Sequence, residues 1–181
     1  AQNLIQAFAN SCNGAFAEIG MQINSEKFRA LANQMLFNSE LPYTLPYNQS
    51  TFSLDGSSDD WEKLQTAIGQ GKTQITPLHN LMIVSAIANG GTYTKPIFFT
   101  KILDRNGKIL IDNEPETRQA LKDSTAYLLT SAMQDVMQSN TMYTRSGSGV
   151  KSTGTTAAIP NMSCAGKSGT TTSNVDVWWS Y

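Results

Sequence analysis

The chain is 181 residues long, 40% hydrophobic and 15% charged, which allows one packed domain and excludes wholesale disorder. Thirteen basic against fourteen acidic residues leave a net charge of −1, so composition carries no electrostatic footprint for nucleic acid or an acidic membrane. No uncharged apolar run reaches the roughly 18 residues of a spanning helix. The longest, at 78–88, is broken by His79, Asn80 and Ser85, and the opening Ala1-Gln2-Asn3-Leu4 lacks the basic start of a signal peptide.

Leu4, Ile5, Phe8 and Ala9 recur at helical spacing and predict a helix over 2–9. A polar break, Asn10-Ser11-Cys12-Asn13-Gly14, follows. Phe16, Ile19 and Gly20 place a second helix at 15–21. Ser25 is suited to cap a third at 26–37, with Phe28, Leu31, Ala32, Met35 and Leu36 on its buried face. Residues 38–60 read as a long surface loop, because proline, glycine, serine and threonine displace any periodicity. Thr76 caps the next helix and Pro77 opens it. Leu78, Leu81, Met82 and Ala86 form one face and Ile83, Val84 and Ile87 another, the mark of a helix buried all round. Asn89-Gly90-Gly91 ends it.

Asn106-Gly107, between the apolar runs 97–103 and 108–111, predicts a β-hairpin. Asp123 caps a helix to about 138, with Leu128, Leu129, Ala132, Met133, Val136 and Met137 facing the core. Residues 144–158, rich in Gly, Ser and Thr, read as loop. Two strands close the chain, near 162–171 and 175–181. Helices first and antiparallel strands last give an α+β fold, with an antiparallel sheet packed between helices.

Lys167-Ser168-Gly169-Thr170 falls on a strand and combines a cation, two hydroxyls and a residue without a side chain. Together these groups could hold a carboxylate, although the string alone also reads as an ordinary strand with an exposed lysine. Gly166-Lys167-Ser168 and Gly71-Lys72-Thr73 both resemble the end of a phosphate-binding loop. The glycine that such a loop needs is replaced by Asn161 and Thr66, and neither segment runs strand–loop–helix. Ser11 and Asn13 offer a hydroxyl and an amide on one break between helices. Taken alone, they read better as helix caps. Cys12 and Cys164 read as two small buried thiols or as one bridge. With one histidine, His79, and no Cys-x-x-Cys, no metal site is expected. His79 reads as structural, and Trp178 and Trp179 as packing on opposite faces of a strand.

Taken together, Ser11-Cys12-Asn13 and, about 150 residues later, Lys167-Ser168-Gly169-Thr170 resemble two of the three signatures of serine penicillin-recognising enzymes. The run Ala67-Ile68-Gly69-Gln70-Gly71, then Thr76-Pro77-Leu78, then Ala86-Ile87-Ala88-Asn89-Gly90-Gly91, and Asp176-Val177-Trp178-Trp179 extend the likeness. The chain resembles the transpeptidase domain of penicillin-binding proteins over nearly all of 1–181. Asn13 looks more like those proteins than a class D β-lactamase, and Cys12 more like the monofunctional class B group. Ser168 stands where Thr is more usual. The family's nucleophile is the Ser of an S-x-x-K upstream of the Ser11 motif, so this chain is expected to lack it. Its one such string, Ser148-Gly149-Val150-Lys151, is out of order and too glycine-rich for the helix the chemistry needs, and reads as coincidence.

The resemblance implies residues 1–181 as the C-terminal portion of a transpeptidase-like fold, with an incomplete sheet beside Lys167 in place of a closed five-stranded one. It implies a parent that cross-links peptidoglycan stem peptides through an acyl-serine and is acylated by β-lactam antibiotics. Ser11, Asn13 and Lys167 would be catalytic. Ser168, Gly169 and Thr170 would bind substrate, with the Thr170 N–H as half of an oxyanion hole. No cofactor and no nucleic acid are implied. The missing N-terminal part of the same protein would be a partner, and the site would lie outside the cytoplasmic membrane, anchored by a segment not in this chain. A D,D-carboxypeptidase, a β-lactamase or a non-catalytic binding module of the same fold remain alternatives.

Overall fold

Side-chain caps and left-handed stops set the helix boundaries. The structure, a computed structural model, describes residues 2–138, 141–143, 149–171 and 175–181. α1 (Leu4–Ala9) opens on a reciprocal cap, with Asn3 Oδ1 accepting from Gln6 N at 2.9 Å and Gln6 Oε1 from Asn3 N at 3.0 Å. α2 (Asn13–Gln22) extends beyond the expected 15–21 at both ends. α3 (Ser25–Gln34) is capped by Asn24, whose side chain accepts from Lys27 N at 3.0 Å. Ser25, expected as that cap, is instead the buried first residue of the helix. α3 stops at Gln34 rather than 37 because Leu36 takes φ +71°, and the amides of Leu36 and Phe37 turn back onto Asn33 and Ala32.

α4 (Asp60–Ala67) is a helix that the loop-like composition before it hides. Its signal is Asp59, which accepts from Glu62 N at 2.8 Å, with Asp60 and Glu62 in the first turn. α5 (Pro77–Ala88) starts as expected, Thr76 Oγ1 accepting from His79 N at 3.2 Å. It is not buried all round: His79, Met82 and Ala86 are buried, but Leu81, on the opposite side, is 61% exposed. α6 (Asp123–Met137) has Lys122 at the cap position and Asp123 inside the first turn, so Asp123 adds favourable charge there rather than a capping bond. Its inner face is Ala126, Ala132, Met133, Val136 and Met137. Leu128 lies about 140° round the helix from Met133 and faces outward. α1 packs on α6, and α2 on α4.

The main core gathers Met35, Leu41, Met82, Ala86, Tyr93 and Ala120, and a second cluster joins Ala32, Phe52 and Leu54. Segment 38–60 is therefore no simple surface loop, since Leu41, Ser50, Phe52 and Leu54 are buried. Irregular bonds satisfy its backbone. Asn38 Oδ1 accepts from Phe52 N at 2.9 Å while its Nδ2 donates to Phe52 O at 3.1 Å, and Thr51 and Gln74 exchange two backbone bonds of 2.9 Å. The Met35 carbonyl, just beyond α3, accepts from His79 Nε2 at 2.7 Å and from Tyr93 Oη at 2.9 Å. A carbonyl only accepts, so His79 carries a proton on Nε2. Burial lowers its pKa, in keeping with a structural histidine.

Among the described residues the strands pair as four antiparallel ribbons. β1 (Thr92–Thr94) joins β4 (Thr117–Gln119), β2 (Lys101–Leu103) joins β3 (Ile109–Asp112), β5 (Thr141–Tyr143) joins β6 (Gly149–Lys151), and β7 (Lys167–Thr170) joins β8 (Val177–Ser180). The β2–β3 pair is the predicted hairpin. Its turn is fixed by Gly107 at φ +79° and by the Asp104 carboxylate accepting from the backbone N–H of Asn106 and Lys108. β1, β4 and β5 span three residues each, too few for alternation to show. β6 corrects part of the loop expected at 144–158, of which 144–148 lie outside the described residues. The β7–β8 register runs from Lys167↔Ser180 to Thr170↔Val177, a two-stranded ribbon and not a closed five-stranded sheet. Asn80 Nδ2 on α5 donates to Ser180 Oγ at 2.9 Å and ties β8 to the helices. The Trp179 ring fills the space over Gly154 and Gly166, where an added Cβ would come within 2.7 and 3.0 Å of it. The architecture is α+β. Cys12 and Cys164 are free, half-buried thiols, with Tyr181 Oη donating to Cys164 Sγ at 2.9 Å. No helix among the described residues is long and apolar enough to cross a membrane.

Candidate active site

The stop after α1 determines where Ser11 sits. The Ser11 amide bonds to Phe8 O at 3.1 Å and the Cys12 amide to Ala7 O at 2.9 Å, the paired bonds of a Schellman turn. That turn requires a left-handed residue, and Ser11 supplies it at φ +53° where glycine is usual. The hydroxyl is thereby aimed off the helix end and toward β7. Neither Ser11 nor Asn13 caps α2: the cap position is Cys12, which makes no side-chain capping bond. Asn13 is the exposed first residue of α2 and lines the same cleft as Ser11.

Lys167 Nζ donates to Ser11 Oγ at 2.8 Å, joining residues 156 apart in sequence. It also donates to Ser168 O at 2.8 Å and reaches Ser168 Oγ at 3.5 Å. A four-carbon stem lets the ammonium curl around the strand edge, so Lys167 and Ser168 meet although their Cβ atoms leave on opposite faces. The Phe8 ring lies 5.8 Å from Nζ. No carboxylate pairs with Lys167 among the described residues. Burial therefore goes uncompensated and lowers its pKa. The ammonium is thus half-buried with only neutral partners among the described residues, a charge that an anion entering the cleft could pair with.

Ser168 Oγ donates to Thr153 Oγ1 at 3.3 Å, and Thr153 is held by its own amide on Ala9 O at 3.2 Å. Nothing in the Gly/Ser/Thr-rich stretch around Thr153 marks it in sequence. Gly169 makes no unusual demand on the backbone: an added Cβ would meet Trp178 Cβ at an ordinary 3.9 Å. Without a side chain it leaves the strand surface there uncovered. Along β7 the Thr171 amide is engaged with Asp176 O on the β8 side at 3.0 Å. Backbone groups alternate sides along a strand, so the Thr170 N–H and C=O face the cleft. The cleft encloses about 1010 Å³ between the α1–α2 turn, the end of α4, the start of α5 and the β7–β8 ribbon. Ser11, Asn13, Lys167, Ser168, Gly169 and Thr170 all line it. Within the rejected string, Gly149–Lys151 form strand β6, while Ser148 lies outside the described residues. Among the described residues no group of three His, Cys, Asp or Glu side chains is placed to hold a metal ion.

Comparison with known proteins identifies the family of the chain. The profile of the penicillin binding protein transpeptidase domain matches residues 1–176. A peptidoglycan D,D-transpeptidase PbpA of Mycolicibacterium smegmatis is 31% identical over 133 residues, covering 72% of this chain and 27% of that protein. The D,D-transpeptidase domain of a peptidoglycan glycosyltransferase from Eggerthella lenta superposes with a TM-score of 0.83 at 26% identity, over 98% of this chain and 44% of that one. Penicillin-binding protein A of M. tuberculosis, solved as an imipenem acyl-enzyme, gives 0.81 at 26% identity, over 98% and 38%. The chain thus spans about a quarter of the curated relative's length.

Proposed function

The chain belongs to the penicillin-binding protein transpeptidase family, and from that premise we propose that residues 1–181 are the C-terminal portion of a peptidoglycan D,D-transpeptidase domain. The observation that carries the reading is the 2.8 Å contact between Lys167 Nζ and Ser11 Oγ, in a cleft lined also by Asn13 and by β7. The nucleophilic serine would come from another part of the parent protein. Its proton would pass through Ser11 Oγ, whose lone pairs and hydroxyl proton serve both directions of transfer. The Lys167 ammonium keeps that hydroxyl oriented and favours the developing negative charge. The hydroxyls of Ser168 and Thr170 would bind the terminal carboxylate of a stem peptide or the carboxylate of a β-lactam. Asn13 would bind the substrate amide, and Gly169 admits the substrate backbone against the strand.

The Thr170 N–H, facing the cleft, would donate to the oxyanion of the tetrahedral intermediate. One such donor contributes about 3–4 kcal/mol to the transition state. The acyl-serine would then be released to an acceptor amine, and a β-lactam would stop at that stage. No step in this scheme calls for a metal or organic cofactor. The parent would act outside the cytoplasmic membrane, where stem peptides are found.

The test is to treat the intact parent and the 181-residue chain with a fluorescent penicillin and to locate the label by mass spectrometry. Label on a serine of an S-x-x-K segment outside this chain, in the intact parent only, is the expected result. Label on Ser148 of the short chain would overturn the assignment of the nucleophile. No label on either would favour a non-catalytic binding module.

A further inference from the structure

The turn after α4 reaches across the cleft. Gly69 at φ +76° closes the helix, with its amide on Thr66 O at 3.0 Å and the Gln70 amide on Gln65 O at 2.8 Å; Gly71 follows at φ +86°. Two left-handed residues flanking Gln70 swing it off the helix axis. Gln70 Nε2 then donates to the Thr170 carbonyl at 3.0 Å, joining residues 100 apart in sequence. Thr170 is the residue whose N–H and C=O face the cleft together. Gln70 therefore holds the carbonyl side of the residue whose N–H is the oxyanion donor proposed above.

α4 is fixed at its other side as well. It packs on α2, where a Cβ on Gly20 would collide with that of Ala67. α2 begins with Asn13. Asn13, α2, α4, Gln70 and Thr170 form one continuous line of contacts that connects the two walls of the cleft. We propose that Gln70 is a positioning residue for acylation: its amide sets the separation between Asn13 and the β7 edge, and so aligns the Thr170 N–H with the oxyanion. The inference rests on the transpeptidase reading. Misplacement by about 1 Å in such a site costs on the order of 100-fold in rate, while the ligand carboxylate, shared between the Ser168 and Thr170 hydroxyls beside the Lys167 charge, keeps Ser168 and Lys167, neither of which Gln70 bonds.

The experiment uses the intact parent, with stopped-flow acylation by a chromogenic cephalosporin to separate binding from the acylation step. Gln70→Ala is expected to slow acylation about 10- to 100-fold and to change binding by less than about 3-fold. Gln70→Glu is expected to be as slow near neutral pH, where its carboxylate has no proton to donate. It should recover relative to Gln70→Ala as pH falls through about 4.3, because the protonated acid again donates to the Thr170 carbonyl. Acylation by Gln70→Ala within about 3-fold of wild type overturns the proposal. So does a loss confined to binding, or a Gln70→Glu profile that follows Gln70→Ala at every pH. Amide exchange at Thr171 gives a readout independent of acylation, expected to quicken about 10-fold in Gln70→Ala. If the wild-type parent is not acylated, the transpeptidase reading fails, and unchanged Thr171 exchange then overturns the bridge itself.

Discussion

Ser11 occupies a backbone position that suits glycine and a chemical position that needs a hydroxyl, so two substitutions separate the roles. A left-handed non-glycine residue costs about 1–2 kcal/mol, against which glycine loses about 0.4–1 kcal/mol through its freer unfolded chain. Ser11→Gly thus relieves roughly 0.5–1 kcal/mol of strain while removing the 2.8 Å bond from Lys167 Nζ. At this exposed position the bond contributes about 0.5–1.5 kcal/mol, so the two changes nearly cancel. Ser11→Ala removes the same bond and keeps the φ of +53°. We therefore expect Ser11→Gly to be close to wild type in stability, and Ser11→Ala less stable than Ser11→Gly by about 1 kcal/mol. For a chain of this size that is roughly 2–4 °C in melting temperature. Both variants are expected to lose most β-lactam acylation in the intact parent, by at least about 100-fold, because neither has an Oγ. Equal melting temperatures for the two variants would refute the left-handed strain. Wild-type acylation by Ser11→Gly would refute the proton relay.

Lys167 has a pKa lowered by burial, so its charge, and with it the affinity for a carboxylate-bearing β-lactam, should fall as pH rises toward the usual lysine value. Lys167→Arg, which stays charged, should flatten that fall in a binding titration carried from neutral pH up to the usual lysine value. A wild-type profile flat to about pH 10.4 would count against the anion-receptor role. His79 is buried and neutral with a lowered pKa. The unfolded chain therefore takes up a proton below about pH 6.5 that the fold resists, and stability is lost as pH falls through that value, at up to about 1.4 kcal/mol per pH unit. His79→Gln should flatten the difference between melts at pH 7 and pH 5; parallel curves would speak against it. Gly91 sits at φ +85° with the Leu121 carbonyl where a Cβ would go. Gly91→Ala should cost at least about 2 kcal/mol in urea unfolding, and a loss under about 0.5 kcal/mol would mean that the backbone there yields easily.

The parts of the fold that were legible in sequence are those written in local chemistry. Thr76-Pro77 names a helix start without help from elsewhere, and Asp104 with Asn106-Gly107 names a turn. Asp59 and Glu62 were equally local, but α4 is short and follows a proline- and serine-rich stretch that masks it. The burial of Leu41, Phe52 and Leu54 had no periodic signal, because irregular bonds such as those of Asn38 replace a ladder. For the site, the motifs identified the residue types at Ser11, Asn13 and Lys167, but no spacing rule reports a contact across 156 residues. Thr153 was invisible for a similar reason. Its hydroxyl matters through where the chain carries it, not through its neighbours in sequence.

The two bonds that His79 and Tyr93 donate to the Met35 carbonyl bear on how this protein is free to vary. The acceptor is a backbone atom, present whatever residue stands at 35. Position 35 is therefore constrained only by the volume its side chain fills. The two donors are side chains and must remain hydrogen-bond donors of the right reach. Drift across the family should then show a lopsided pattern, with apolar exchange at 35 and persistent polarity at 79 and 93, although all three residues meet at one oxygen.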